Sequence, residues 1–231
     1  MRIAACLSWY DEEPAALCRW VAGVASFADI VVAVDGAYYH YPDARGDSPE
    51  EQRYALYQAC GEHGLDFQEV DREPGPNPAP WPSEVDKRAT ELAIAVSMVE
   101  PEDWLVRLDA DEFAHSADPE ALRWLLEATR EVDVCTFELY GELPNPFRFP
   151  IRRILRALPG LTCEGAHYVA KAGQRYLAGH PEWHPIEQAQ AIGPSLLEVE
   201  HRHQDRPPAR EAGRRAYYKQ LNELELERVG P

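Results

Sequence analysis

No uninterrupted apolar run in this 231-residue chain reaches the ~18–20 residues that a membrane span needs, because Glu, Asp, Arg or Gly breaks every candidate. Cysteine is sparse and unpatterned: five residues, at 6, 18, 60, 135 and 163, with no CxxC pair and no zinc-ribbon spacing. That excludes a disulfide-stapled scaffold and predicts reduced, mostly buried thiols in the cytoplasm. The apolar start Met1 to Leu7 gives way to Trp9-Tyr10-Asp11-Glu12-Glu13 too early for a secretory leader. Internal repeats and low-complexity tracts are also missing, which excludes solenoids and arrays. With 45% apolar and 10% aromatic residues, the chain is not a disordered one.

Basic residues are scarce in one part of the chain only. The formal charge is −17, but residues 1–144 carry −20, residues 145–220 carry +5 and the last eleven carry −2. The acidic part should repel polyanions and attract divalent cations, whereas the basic part suits phosphates.

The periodicity alternates. An apolar strand near 1–8 precedes a helical pattern opened by Pro14, and Ile30 to Val34 is a continuous β-branched run of the kind buried on both faces of a parallel sheet. Ser48 with Glu51 three residues on has the form of a capping box, which predicts a helix from there to about Gly61. A third strand near Leu65–Val70 and a helix over 83–99 follow. Then come a strand at 104–108, a helix over 118–130 and a strand over 132–140. The five-proline segment 74–82 reads as a rigid surface loop within this series. Beyond Pro144 the pattern loosens into turns, short antiparallel strands at 161–171 and a final helix over 207–228. The expected fold is α/β: an open, mostly parallel sheet flanked by helices, with an irregular α+β C-terminal half. We read one domain over 1–231, with a regularly alternating half over 1–115 and an irregular half over 116–231. Ligands of such sheets gather at the strand C-termini, here residues 9–13, 35–36 and 109–112.

Leu108-Asp109-Ala110-Asp111-Glu112-Phe113 follows the apolar strand directly and puts three carboxylates in four positions. Crowded carboxylates repel unless a cation or a shared proton relieves them. In an extended segment Asp109 and Asp111 would point the same way and converge on one ion, and their hard oxygens suit Mn²⁺ or Mg²⁺.

This hexapeptide resembles the "lDaDEf" form of the DxD element in GT-A-fold glycosyltransferases, the family-2-like group in particular. Ser8 to Glu13 is similar to the "YNEE" segment of those enzymes, with Asp11 in place of the usual Asn. Val34-Asp35-Gly36-Ala37 is similar to "vDdgS", without its second acidic residue. Asp86-Lys87-Arg88-Ala89 resembles the basic segment upstream of the DxD. The resemblance covers residues 3–113 well and the rest weakly, and it implies that 1–115 is the nucleotide-sugar-binding half and 116–231 the acceptor-binding half with the C-terminal helix. It implies a metal-dependent transfer of sugar from a nucleotide diphosphate sugar, a UDP-sugar first, to an acceptor hydroxyl. It further implies Trp9 or Tyr10 packed on the base, with Glu12 nearby and Asp35 at base or ribose. Lys87, Arg88 and Asp109 would lie near the diphosphate. Asp109 and Asp111 would hold the metal, with His201, or else His203, as a third ligand. Glu112 would either orient the metal-site residues from behind or contact the donor sugar.

On the acceptor side, Glu164 and His167 resemble the "G.vHe" element and are expected as acceptor base or acceptor ligand. Arg148, Arg152, Arg153 and Arg156 flank them. Arg206, Arg210 and Arg214 recur every fourth residue, a basic ridge on a helix that suits a diphosphate. A glycan or small molecule is the expected acceptor, and a hydroxymethylated DNA base is the alternative. A nucleotidyltransferase would need a Gly-rich loop after the first strand, and WYDEEP contains none. An inactive nucleotide-binding relative would have no use for three crowded carboxylates.

Overall fold

In the computed structural model, residues 1–39, 41, 44–70, 78–129, 131–141, 147–164, 169–178, 189–202 and 219 are described. The first part alternates as its periodicity predicts: β1 (Ile3–Ser8), α1 (Pro14–Val24), β2 (Ile30–Val34), α2 (Glu50–Glu62), β3 (Asp66–Glu69), α3 (Glu84–Ser97) and β4 (Trp104–Asp109). Pro14 sits in the first turn of α1, where its missing N–H costs nothing. Ser83 caps α3 by accepting the Asp86 N–H at 3.1 Å. The capping box expected at α2 does not form. That helix starts after Pro49 without a side-chain cap, and the Ser48 hydroxyl is drawn into a buried network described below.

β3, β2, β1 and β4 lie side by side in that order and run parallel. β1 and β2 are buried on both faces, as their unbroken apolar sequences require. Alternate β1 residues enter different cores. Ile3, Ala5 and Leu7 pack with α1, α2 and α4 (Pro119–Ala128), whereas Ala4 and Cys6 pack with α3.

The remainder of the sheet departs from the expected mostly parallel arrangement. β5 (Glu112–His115), β6 (Val134–Gly141), β7 (Phe147–Arg156) and β12 (Glu198–His201) extend it in the order β4-β7-β6-β12-β5. β7 is antiparallel to both β4 and β6, and β12 is antiparallel to β5 but parallel to β6. The sheet is therefore mixed. The reason lies in β7, where a long strand occupies residues that read as loop. Its FRFPIRRILR sequence carries four arginines and a mid-strand proline, which hide an extended conformation from any periodicity test. A separate antiparallel sheet of β8 (Leu161–Glu164), β9 (Val169–Ala172) and β10 (Arg175–Tyr176) packs on α3. The short β11 (Gln190–Ala191) pairs with β6. The helix expected over 207–228 lies outside the described residues, Lys219 excepted.

No helix among the described residues is long and apolar enough to cross a membrane. All five cysteines are free and all but Cys18 are buried. Burial pushes the Cys60 and Cys135 thiols up to about 12, so neither is a nucleophile at neutral pH.

Candidate active site at the strand ends

The strand order reverses between β1 and β4, since β2 and β3 stack on one side of β1 while β4 lies on the other. Crevices outside strand C-termini at such a reversal are where open α/β sheets bind ligands. The register brings Ser8 level with both Val34 and Asp109. The segments after β1, β2 and β4 therefore leave the sheet at one height and face one another.

At the end of β4 the chain does not continue extended. Ala110 and Asp111 form a turn, and β5 begins at Glu112. This corrects the expectation that Asp109 and Asp111 point to one ion from an extended segment. The turn lets the Glu112 carboxylate accept the Asp109 N–H at 2.9 Å, and it separates the tasks of the two aspartates. Asp109 is bracketed by guanidinium groups: Arg88 of α3 pairs with one carboxylate oxygen and Arg153 of β7 with the other, the latter at 3.2 Å. Arg153 also pairs with Glu112, whose side chain is 1% exposed. Burial raises the Glu112 carboxyl above its ordinary range, Arg153 opposes the rise, and Asp109 and Asp111 add to it. Asp111 is buried, and its carboxylate lies 3.0 Å from Nε2 of His201 on β12. Its carbonyl accepts the Arg202 N–H at 2.9 Å.

A divalent cation suits this donor set by type, two carboxylates and an imidazole. By place it gathers Asp111 and His201, while Asp109 is engaged by the two arginines. Among the described residues no three His, Cys, Asp or Glu side chains are grouped to hold an ion. His203, His167 and Arg206 lie outside the described residues.

The β2 end is a closed network. The Asp35 carboxylate accepts the Gly36 N–H at 2.5 Å, the Ser48 N–H at 2.7 Å and the Ser48 hydroxyl at 2.6 Å. The Ser48 hydroxyl in turn accepts the Asp11 N–H at 2.8 Å. Burial raises the Asp35 carboxyl above its ordinary range, against those hydrogen bonds and the Lys87 charge. Asp35, expected at base or ribose, thus spends its oxygens on its own loop and on the start of α2. Lys87, expected at the diphosphate, is buried beneath the crevice and donates to the Trp9 and Gly36 carbonyls. The Trp9 ring, expected to pack on a base, belongs to the core. Tyr10 is half-buried and meets Tyr41 edge to face, and Tyr41 meets Tyr38 likewise. Glu12, two residues after Tyr10, is buried. Asp11 has φ 52, the sole positive value for a non-glycine among the described residues, and strain of this kind collects at functional sites.

Glu164 lies at the end of β8 and is ion-paired to Lys171 of β9. Sequence reasoning missed the particular part of Arg153. The β6–β7 register passes from Cys135↔Ile154 to Thr136↔Arg152, so Arg153 is the extra residue of a β-bulge. Bulges re-aim a side chain, and this one turns Arg153 onto Asp109 and Glu112. Of the other arginines on β7, Arg148 pairs with Glu138, and Arg156 covers Trp104 and pairs with Asp133. A run of arginines in the sequence gives no sign of which one a bulge will turn inward.

No protein-family model and no curated protein matches the chain. Among solved structures, mannose-6-phosphate isomerase from Helicobacter pylori aligns at a TM-score of 0.37 and 14% identity over 63% of this chain. The alignment spans 53% of that enzyme, about half its length, and a likeness so slight bears on neither the fold nor the activity of this one.

Proposed function

We propose that the chain is a glycosyltransferase of the GT-A kind that moves a sugar from a nucleotide diphosphate sugar, a UDP-sugar first, to an acceptor hydroxyl. The observation that carries this reading is the Asp109–Glu112 turn. It is an acidic turn at a topological switch point, faced by Arg88, Arg153 and His201 and level with the β1 and β2 ends. The resemblance of four ordered segments to that family supports the same reading.

In the reaction the acceptor oxygen forms a bond to the anomeric carbon while the bond from that carbon to the diphosphate oxygen breaks. The acceptor proton passes to a base, and the departing diphosphate takes the electron pair. The electrostatic demand is greatest on the leaving oxygens. Arg153 has a planar set of five donors suited to such oxygens. Asp109 and Glu112 hold it in place at the crevice, and Arg88 is braced behind Asp109 by Glu84 at 3.6 Å. Asp111 and His201 are the residues that would hold Mn²⁺ or Mg²⁺, which when bound adds positive charge at the diphosphate. Tyr10 and the Tyr38–Tyr41 pair offer aromatic faces to a base. On the acceptor side Glu164, paired with Lys171, is the candidate proton acceptor. A glycan or a small molecule fits an acidic protein better than a polyanion does.

Calorimetric titration of UDP, GDP and CDP, each with and without Mn²⁺, tests the reading. One nucleotide should bind, and Arg153→Ala should weaken it by about tenfold or more, the worth of a charge-assisted hydrogen bond. If no nucleotide binds under any of these conditions, the reading is wrong.

A further inference from the structure

Lys87 is one of only three lysines in the chain, and the chemistry above does not use it. Its side chain is 2% exposed. Its Nζ donates to the Trp9 carbonyl at 2.6 Å and to the Gly36 carbonyl at 2.7 Å. Trp9 is the first residue beyond β1 and Gly36 the second beyond β2. Ladder hydrogen bonds hold parallel strands only as far as they run side by side, and here the last rung is Trp9 N–H to the Val34 carbonyl at 3.1 Å. Above that rung the two chains separate into the loops that wall the crevice, and Lys87 reaches up from α3 to bridge them. The same loops are tied to α2 through Asp35, Ser48 and Asp11.

An ammonium is an expensive choice for a buried bridge. Asp35 stands opposite it, Glu84 and Glu91 on its own helix attract it, and Arg88 repels it. Burial outweighs these and lowers Lys87 to about 8. An apolar side chain would fill the space at less cost. What it could not do is satisfy carbonyls from two different strand ends and set the distance between them.

We propose that Lys87 is a positioning residue: its ammonium fixes the spacing of the β1 and β2 loops that receive a nucleoside diphosphate, and it does not touch the ligand. The ligand in this statement rests on the nucleotide-sugar reading, whereas the bridge itself does not.

Three measurements test it. Amine footprinting of the wild-type chain should label Lys171 and Lys219 quickly and Lys87 slowly, with nucleotide and without. Fast labelling of Lys87, or protection that appears only with nucleotide, would make it a ligand contact and overturn the proposal. In Lys87→Met the amides of 9–13 and 36–39 should exchange faster with deuterium. Affinity for nucleoside mono- and diphosphates should fall by one common factor of about ten or more, as expected when a charged donor's hydrogen bonds are lost. Arg153→Ala should instead penalise the diphosphate selectively. Wild-type exchange and affinity in Lys87→Met would also overturn the proposal. If Lys87→Met does not fold, the footprint decides. If the wild type binds no nucleotide, the transferase reading fails, while footprint and exchange still decide the bridge.

Discussion

Taking one charge out of a crowded set of carboxylates relieves repulsion, so a side chain kept for activity at the expense of stability shows itself by the sign of its substitution. Asp111 stands beside Glu112 and Asp109 and faces His201. Asp111→Asn keeps a hydrogen-bonding group for the imidazole. It should leave the melting temperature unchanged or higher while, on the proposed transferase reading, transfer falls by ~100-fold or more, the usual scale for a lost electrostatic contributor. Parallel melting curves and turnover assays check both halves, and unchanged turnover would remove Asp111 from the chemistry. Lys87 gives the opposite kind of test, through linkage. Its folded value of about 8 lies below the ordinary 10.5, so the unfolded chain binds more protons between those limits. The Lys87 contribution to stability is therefore complete above pH 10.5 and is lost as pH falls through about 8. Urea unfolding at pH 7 and pH 10 should show wild type gaining on Lys87→Met at the higher pH, by at most ~3 kcal/mol. A difference that does not change with pH would mean that the ammonium is not buried as described.

Two glycines in different elements should respond to alanine with opposite signs. Gly36, just after β2, has φ +99, and a Cβ there would lie 2.1 Å from the Gly46 carbonyl oxygen and 3.3 Å from the Trp81 ring nitrogen. Trp81 itself donates from Nε1 to the Asp35 carbonyl at 2.7 Å, so the proline-rich segment is bolted to this turn. Gly36→Ala should cost more than ~1 kcal/mol and loosen the strand-end network. Gly61, exposed on α2, would meet nothing within 4 Å, and Gly61→Ala should gain up to ~1 kcal/mol from helix propensity alone. Chemical denaturation of the pair measures this contrast. The contrast also marks what a sequence discloses about elements. β1 and β2 are legible because continuous burial writes an unbroken apolar run, and β4 because only a single buried arginine, Arg107, interrupts its own. β7 is not, because its arginines answer to partners 10 to 54 residues away: Glu138, Asp133, Asp109 and the Glu102 carbonyl. Ser48 misleads for a related reason. Its local pattern promises a helix cap, but Asp35, thirteen residues earlier, claims the hydroxyl.

At the scale of the whole molecule, the meeting of the β1, β2 and β4 ends was legible and the wiring between them was not. Strand alternation and the acidic hexapeptide locate the crevice from local sequence alone. The bracketing of Asp109 by Arg88 and Arg153 depends on a sheet order that inserts β7 beside β4, and no local signal encodes that order. The charge of the molecule poses a similar question of scale. A net −17 opposes compactness through long-range repulsion, which salt screens over about 10 Å at 0.1 M. Local pairs such as Arg53–Glu69 and Arg123–Asp29 pull the other way and are weakened by the same salt. Partly exposed pairs contribute at most ~1 kcal/mol each, so the repulsion should prevail. Raising NaCl from 0.02 to 0.5 M should then lift the melting temperature by a few degrees, equivalent to about 1 kcal/mol in a chain of this size. A fall would mean that the ion-pair network, not the net charge, governs stability. Millimolar Mn²⁺ separates the general effect from the local one. Screening acts alike on wild type and on Asp111→Asn, so a rise beyond that in NaCl of matched ionic strength, present in wild type and absent from the variant, would place the ion at Asp111 and His201. An equal rise in both would assign it to diffuse screening of the acidic surface and, on the proposed transferase reading, leave the charge on the leaving group to Arg153.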